Sequence, residues 1–185
     1  VQYVSWSSNS SYISYLVENL VDHGADSLYI YDVGSQTSSK YQLKGILKED
    51  TLLSVNLAND GRSVLLQLFG AKQGQKKVLT LGKVSGKNIE FQYERQIGGD
   101  SVAWMNNDQF VFLGTDNSLY EYDQRNGELS VILEKVLDFE FSPDRKNIAY
   151  TVYDQNVTYV AKVQGRNILY NEPVYRGIVP THMYW

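Results

Sequence analysis

The sequence repeats one pattern several times, and this repeat restricts the fold more than any other feature. A short strand ends in an aromatic residue or Leu and runs into a polar turn, after which a second apolar strand begins. In the clearest copy, residues 137–153, Phe139 and Phe141 alternate with Glu140 before a polar corner at 142–145. A period of two residues on both sides of a turn is typical of two antiparallel strands, each with one buried face.

The spacing of the repeat indicates how the strands group. Its first strand ends at Trp6, Leu57, Trp104, Phe141 and Trp185, which are 51, 47, 37 and 44 residues apart by subtraction. Later strands repeat too: residues 27–32 match 118–123 at five of six positions, and residues 83–89 match 162–168 at all but two. Spacings of about 40 to 50 residues are typical of the four-stranded blades of a β-propeller, which cover one another's faces. We therefore predict an all-β β-propeller of four-stranded antiparallel blades, about four blades plus the first strand of a fifth.

The blades are expected at about 1–51, 52–100, 101–136 and 137–178, with the start of the next at 179–185, so that residues 1–185 form a single propeller region. One segment fits less well. Residues 14–23 place Leu16, Val17, Leu20 and Val21 at helical spacing before Gly24, a possible helix stop. Because the repeat requires a strand there, we predict a strand that runs into a long hairpin loop, with a short helical turn as the alternative.

Composition excludes several classes of protein. The net charge is −4 and no basic run is longer than the two residues 76–77, so nucleic acid is not an expected partner. No apolar run approaches the roughly 20 residues of a membrane-spanning helix, so no direct membrane insertion is expected. The chain has no Cys, which removes thiol catalysis and thiolate metal sites and suits an oxidising compartment.

Residues 141–150, Phe-Ser-Pro-Asp-Arg-Lys-Asn-Ile-Ala-Tyr, resemble the repeat of TolB-like (WD40-like) β-propellers. In that family an aromatic-Ser-Pro-Asp-Gly-Lys turn precedes an Ile-Ala-aromatic strand. Residues 60–62 keep the Asp-Gly half of the motif, whereas Arg145 stands where Gly is usual. The resemblance implies a ring of six to eight blades. We therefore expect this partial ring to belong to a longer chain or to be completed by a second copy, with self-association through its open blade faces.

The polar corners supply the first candidate ligands: Asn9, Asp60, Asn107 and Asp144. They could bind a cation or polar substrate groups, or they could accept backbone N–H bonds within their own turns, which is the common use of Asx residues. The two histidines, His23 and His182, lie far apart in sequence and outside any metal-ligand pattern, so a loop or strand-edge role is preferred to ligation or general-base work.

Other motifs also favour structural roles. Residues 70–77 are superficially similar to a phosphate-binding loop but lack its Gly-Lys-Ser/Thr ending, and we interpret them as a solvated hairpin loop. A tyrosine ladder could form an aromatic binding surface, although packing between blades with the hydroxyls at the edge is the preferred interpretation. Its members are Tyr29, Tyr31, Tyr120, Tyr122, Tyr150, Tyr153 and Tyr159. No catalytic, cofactor-binding or metal-binding residue is predicted, and no cofactor.

These observations favour a non-catalytic protein-binding or scaffold propeller domain with a protein partner. The resemblance and the absence of Cys suggest an extracytoplasmic protein of the bacterial envelope, such as a lipoprotein, with a cytoplasmic location as the alternative. Two other functions stay open. The region could gate a prolyl-oligopeptidase-like serine peptidase whose hydrolase domain follows in a longer chain, or it could be a ligand-sensing ectodomain.

Overall fold

The computed structural model describes residues 2–17, 27–47, 49–177 and 183. Every regular element in these ranges is a β-strand. The strands are β1 (Gln2–Trp6), β2 (Tyr12–Val17), β3 (Ser27–Asp32), β4 (Thr37–Lys44), β5 (Thr51–Leu57), β6 (Ser63–Gly70), β7 (Lys76–Ser85), β8 (Asn88–Gln96), β9 (Val102–Trp104), β10 (Gln109–Leu113), β11 (Leu119–Asp123), β12 (Glu128–Leu133), β13 (Val136–Phe141), β14 (Asn147–Val152), β15 (Val157–Gln164) and β16 (Asn167–Arg176).

Consecutive strands pair antiparallel in groups of four, and we call the groups β1–β4, β5–β8, β9–β12 and β13–β16 blades 1 to 4. The chain forms two compact units, Val1–Gln96 with blades 1 and 2 and Ile97–Trp185 with blades 3 and 4. The expected strand is present at Tyr12–Val17, and the remainder of the segment with helical spacing lies outside the described residues. The predicted first strand of a fifth blade also lies outside them, apart from Met183.

In the first unit, blades 1 and 2 join edge to edge into one eight-stranded sheet. The junction is a short parallel ladder between the two outer strands, in which residues 42–44 at the end of β4 lie beside residues 88–90 at the start of β8. The backbone N–H of Gln42 donates to the carbonyl oxygen of Lys87 at 2.9 Å and extends this ladder by one bond. Outer strands of this chain therefore accept a parallel neighbour.

The core of the first unit lies between the two blades. Leu16 and Leu28 of blade 1 are fully buried in one cluster with Val64 and Leu66 of blade 2. We call the face of blade 1 that contributes to this cluster its forward face, and the face of blade 2 that meets it a rear face. Side chains alternate along a strand, so the residues between the core positions lie on the opposite face. The rear face of blade 1 accordingly carries Trp6, Ile13, Tyr15, Tyr29 and Tyr31.

The second unit repeats this arrangement with different side chains. Val111 and Leu119 on the forward face of blade 3 form one buried cluster with Phe141 and Ile148 on the rear face of blade 4. The opposite, forward face of blade 4 carries Glu140, Ala149, Val160 and Glu172, which are register partners across its four strands.

Tight turns fall where the repeat predicts them. Gly86 and Gly165 occupy equivalent positions between the third and fourth strands of blades 2 and 4, with φ of +59° and +58°. Glycine adopts this left-handed conformation without steric cost. The match between residues 83–89 and 162–168 therefore predicted the position and the chemistry of two hairpins.

Candidate interaction surface

The polar corner residues bind their own turns. Asp60 Oδ1 accepts from the N–H of Arg62 at 2.8 Å, and Asp144 Oδ1 accepts from the hydroxyl of Ser142 at 2.7 Å and from the N–H of Lys146 at 3.1 Å. The Ser142 bond holds the pKa of Asp144 below its ordinary value. These carboxylates act as turn caps, as the Asx interpretation predicts.

The corners of blades 1 and 4 are the same structure despite different sequences. The Ser7 hydroxyl donates to Asn9 Oδ1 at 2.7 Å and accepts from the N–H of Tyr12 at 3.0 Å. Ser142 makes the equivalent bonds to Asp144 and to the N–H of Asn147 at 3.0 Å. Residues 7–10 therefore make the same turn bonds as residues 142–145, although the two sequences share only their polarity.

Two corner residues behave differently from the pattern. At the corner of blade 3, Asn106 and not Asn107 caps the turn: its Oδ1 accepts from the N–H groups of Asp108 and Gln109 at 2.8 and 2.9 Å. Asn9 also reaches the next blade: its N–H donates to Asn59 Oδ1 at 3.0 Å, and its Nδ2 donates to the Asn59 carbonyl oxygen at 3.1 Å. Asn9 thus links the corners of blades 1 and 2.

The remaining candidates for chemistry do not form a site in the described ranges. His23 and His182 lie outside them. Residues 70–77 close the β6–β7 hairpin, where the Gln75 N–H donates to the Gly70 carbonyl oxygen at 2.9 Å. Among the described residues, no group of three or more His, Asp and Glu side chains is placed to hold a metal ion. In the same ranges, no helix combines the length and the apolar character of a membrane span.

A small cavity opens beside the loop between blades 1 and 2. It has a volume of about 60 Å³, and its lining includes Asp50, Lys72, Gln73 and Glu94. Its polar groups have structural partners, since Asp50 accepts from the N–H groups of Leu47 and Ala71, each at 2.8 Å. Pockets for organic ligands are typically about 300 to 1,000 Å³, so this cavity is too small for one.

The second unit contains a buried ion pair that the sequence patterns did not predict. The Glu121 side chain, only 3% exposed, accepts from Arg166 Nε at 2.7 Å. Arg166, 37% exposed, also binds Glu128 through Nη1 at 2.8 Å. The two bonds raise the pKa of Arg166, and the guanidinium lowers the pKa of Glu128. Arg166 thereby fastens the β15–β16 hairpin of blade 4 to blade 3.

A signal for this pair was present in the repeat. Residues 27–32 and 118–123 differ at one position, where Ile30 in blade 1 corresponds to Glu121 in blade 3. Residues 83–89 and 162–168 differ at two, one of which is Lys87 against Arg166. The first unit thus has an apolar residue and a Lys at these two positions, whereas the second unit has a carboxylate and an Arg. Arg suits such a pair because its planar fork matches a carboxylate.

The tyrosine ladder divides between buried and accessible positions. Tyr150 is buried in the core of the second unit and stacks on Tyr159 with ring centroids 5.5 Å apart. Tyr15 and Tyr29 form the equivalent pair in blade 1, with centroids 5.1 Å apart, but both are only half-buried. Tyr150 therefore packs between blades, as predicted, whereas Tyr15 and Tyr29 lie on an accessible face of blade 1.

The rear face of blade 1 is the strongest candidate interaction surface. Trp6, Ile13 and Tyr31 form one row across its strands, and the Trp6 side chain is 57% exposed. The equivalent row in blade 3 is Trp104, Phe110 and Tyr122, in which Trp104 is only 4% exposed and Phe110 is fully buried. The same kind of aromatic row is therefore buried in one blade and accessible in another. Large accessible apolar patches on proteins mark interaction sites.

Comparison with known proteins identifies the fold. No protein-family model matches the chain, and no curated protein matches it. Among solved structures, the chain is similar to the β-propeller domain of Cps50 (Swd1) from Myceliophteria thermophila, with a TM-score of 0.56 and 14% identity over 95% of this chain and 55% of that one. It is also similar to the β-propeller domain of the trilobed protease from Pyrococcus furiosus, which has an open velcro topology, with a TM-score of 0.56 and 16% identity over 91% of this chain and 56% of that one.

A third similar structure is a chain of a mitotic checkpoint complex, with a TM-score of 0.53 and 12% identity over 93% of this chain and 51% of that one. This chain therefore spans about half the length of the propellers it matches. At these identities the likeness establishes the architecture and not the function. The fold class predicted from the repeat is confirmed: the chain has the β-propeller fold, built of four-stranded antiparallel blades.

Proposed function

We propose that this chain is a non-catalytic propeller region that binds a protein partner or serves as a scaffold, and that the rear face of blade 1 is its binding surface. The exposed Trp6 carries this proposal. Burying a Trp stabilises a protein interface more than most contacts do, because the ring is large and loses little conformational freedom. Trp6 lies beside Ile13 and Tyr31 on one pleated face, so a partner that covers it also covers its neighbours.

We further propose that residues 1–185 are one TolB-like propeller region of a bacterial envelope protein, such as a lipoprotein, in an extracytoplasmic compartment. The corner at 142–145 supports the TolB-like assignment, because the Ser142 and Asp144 side chains make the turn bonds that give these motif positions a role. The absence of Cys supports an oxidising compartment. Fractionation of a producing cell tests the location, and recovery in the cytoplasm alone would contradict it.

A capture experiment tests the protein-binding function. The wild-type chain, Trp6→Ser and Tyr170→Ser are used as baits for bacterial envelope extract. Tyr170 is the control because its side chain is more exposed than that of Trp6, at 74%, and lies on β16. We expect one specific protein to bind the wild type and Tyr170→Ser and to be lost with Trp6→Ser. Equal capture by all three baits, or no capture, would contradict binding through this face.

A second candidate function is favoured by one comparison. The similar propeller from Pyrococcus furiosus belongs to a protease, so this region could gate a serine peptidase of the prolyl-oligopeptidase type. Such a peptidase needs a Ser nucleophile on a Gly-x-Ser-x-Gly turn, and this motif does not occur in residues 1–185. Sequencing the gene on both sides of this region decides between the candidates, because the gating function requires that motif in the same protein.

A further inference from the structure

We propose that Asn126 is a self-modification site, at which the backbone nitrogen of Gly127 attacks the side-chain amide and water converts the residue to aspartate or isoaspartate. The two residues are exposed and lie in the turn at 124–127, which joins β11 to β12 in blade 3. The dipeptide Asn-Gly occurs at this one place in the sequence. The modification is independent of the binding function proposed above, and it adds a negative charge beside the ion pairs of Arg166.

The attacking nitrogen belongs to a residue without a side chain. Gly127 has φ of +70°, and apart from its chain neighbours a Cβ built there would meet only the Tyr122 hydroxyl, at 3.8 Å. A residue with a Cβ would hinder the approach of its own backbone nitrogen to a neighbouring carbonyl carbon, whereas glycine permits close approach of the backbone. The backbone at Gly127 can therefore move toward the Asn126 amide without a steric clash.

Hydrogen bonds within the turn prepare the Asn126 amide for this attack. Its Oδ1 accepts from the N–H of Glu128 at 3.0 Å, and its Nδ2 donates to Glu128 Oε2 at 3.2 Å. The first bond polarises the side-chain carbonyl and stabilises the negative charge that Oδ1 acquires during attack, as donors in an oxyanion hole do. One bond opposes the reaction, because the Gly127 N–H donates to the Asp123 carbonyl oxygen at 2.9 Å and must first be released. Local opening of this hairpin therefore limits the rate.

The reaction is balanced with water as its co-reactant. The Gly127 nitrogen forms a bond to Asn126 Cγ, the bond from Cγ to Nδ2 breaks, and the amide nitrogen leaves as ammonia with the proton that Gly127 loses. Water then adds to one of the two carbonyl carbons of the five-membered imide and opens the ring. Opening at Cγ leaves aspartate in an unchanged backbone, whereas opening at the backbone carbonyl leaves isoaspartate. No atom is oxidised or reduced.

The aspartate product changes the charges around Arg166. A carboxylate oxygen replaces the Asn126 Nδ2, which lies 3.2 Å from Glu128 Oε2, so a hydrogen bond becomes a contact between two negative charges. Glu128 also accepts from Arg166 Nη1 at 2.8 Å, the more exposed of the two bonds that fasten blade 4 to blade 3. Repulsion from residue 126 therefore weakens this bond and leaves the buried bond from Arg166 to Glu121 in place.

Peptide mapping by mass spectrometry tests the reaction. The folded protein is held in mildly alkaline water enriched in heavy oxygen, so that label at residue 126 counts only hydrolysis of the imide. Asn117 is the internal control, because it is also exposed but precedes Ser118, which has a side chain and is buried. We expect several-fold more label at Asn126 than at Asn117, and faster labelling of both in guanidinium-unfolded protein. No label at Asn126 in the folded protein, or equal label at the two sites, overturns the proposal.

Urea unfolding tests the consequence for the ion pair. Asn126→Asp reproduces the aspartate product, and Glu128→Gln replaces the facing carboxylate with an amide that can donate to it. We expect Asn126→Asp to lower the urea midpoint in the wild-type background and to leave it unchanged in the Glu128→Gln background. Equal shifts in the two backgrounds, or no shift in either, contradict the weakening of the bond between Arg166 and Glu128.

Discussion

Gly61→Ala should destabilise the corner of blade 2 for two separate reasons. Gly61 has φ of +68°, and a Cβ atom at this position would lie 2.9 Å from Cε1 and Cζ of Tyr12 in blade 1. The first reason is the strain of a left-handed backbone in a residue with a side chain. The second is steric, because the Tyr12 ring packs against the core between blades 1 and 2 and must move.

Gly86→Ala measures the backbone strain without a steric clash. Gly86 has φ of +59°, but a Cβ there would meet no atom within 4 Å. A left-handed residue other than Gly costs about 1 to 2 kcal/mol, and Ala recovers about 0.4 to 1 kcal/mol by restricting the unfolded chain. We therefore expect Gly86→Ala to lower the free energy of unfolding by about 1 kcal/mol. Forcing extra volume into a packed site costs about 1 to 3 kcal/mol more, so Gly61→Ala should cost about 2 to 4 kcal/mol.

Urea unfolding, followed by far-ultraviolet circular dichroism, measures both variants against the wild type. The chain has two compact units. If the urea curve shows two unfolding transitions, each is therefore fitted by itself. We expect a larger loss of unfolding free energy in Gly61→Ala than in Gly86→Ala. Losses that agree within about 0.5 kcal/mol, which is within the scatter of such measurements, would refute the steric contribution of Tyr12.

Three further outcomes are expected. Arg166→Ala should lower the free energy of unfolding by about 2 kcal/mol, because it leaves the buried Glu121 carboxylate without its charged donor; Glu121→Gln in the Arg166→Ala background should recover part of the loss in the same urea assay. The Arg125 guanidinium holds the pKa of Asp123 well below its ordinary range. The folded state therefore binds this proton less strongly than the unfolded state, so stability present above about pH 4 is lost as the pH falls. Thermal melts from neutral to acidic pH should show a shallower loss in Asp123→Asn, and an identical slope would contradict this role. Ser142→Ala should cost about 1 kcal/mol in urea unfolding, because it removes the acceptor of the Asn147 N–H; no measurable loss would show that water replaces the hydroxyl.

Arg145 occupies a conformation at the blade 4 corner that usually favours Gly. Its backbone is left-handed, with φ of +60°. Its guanidinium carbon lies 5.9 Å from the centre of the Phe141 ring. Burial lowers the pKa of Arg145 and raises the pKa of Glu140, which faces it electrostatically. Burial therefore disfavours the Arg145 charge more than the opposite charge of Glu140 favours it, so this corner combines a left-handed backbone with a partly buried guanidinium.

The sequence alone predicted the features that depend on neighbouring residues. The hairpin at Gly165 and the turn cap at Asp144 are examples, since each requires a backbone conformation or hydrogen bond within a few residues. The same local rules explain the alternation of apolar and polar residues along each strand and the polar turn that follows Trp6. These rules determine which residues form strands and which side chains share a face.

The tertiary structure alone decided how the faces and edges are used. Trp6 and Trp104 occupy equivalent positions in the repeat, yet one is exposed and the other buried. The parallel ladder between β4 and β8 joins segments about 45 residues apart. Burial and pairing of this kind depend on which surface lies opposite in space, and a strand's own sequence carries no record of its distant neighbour.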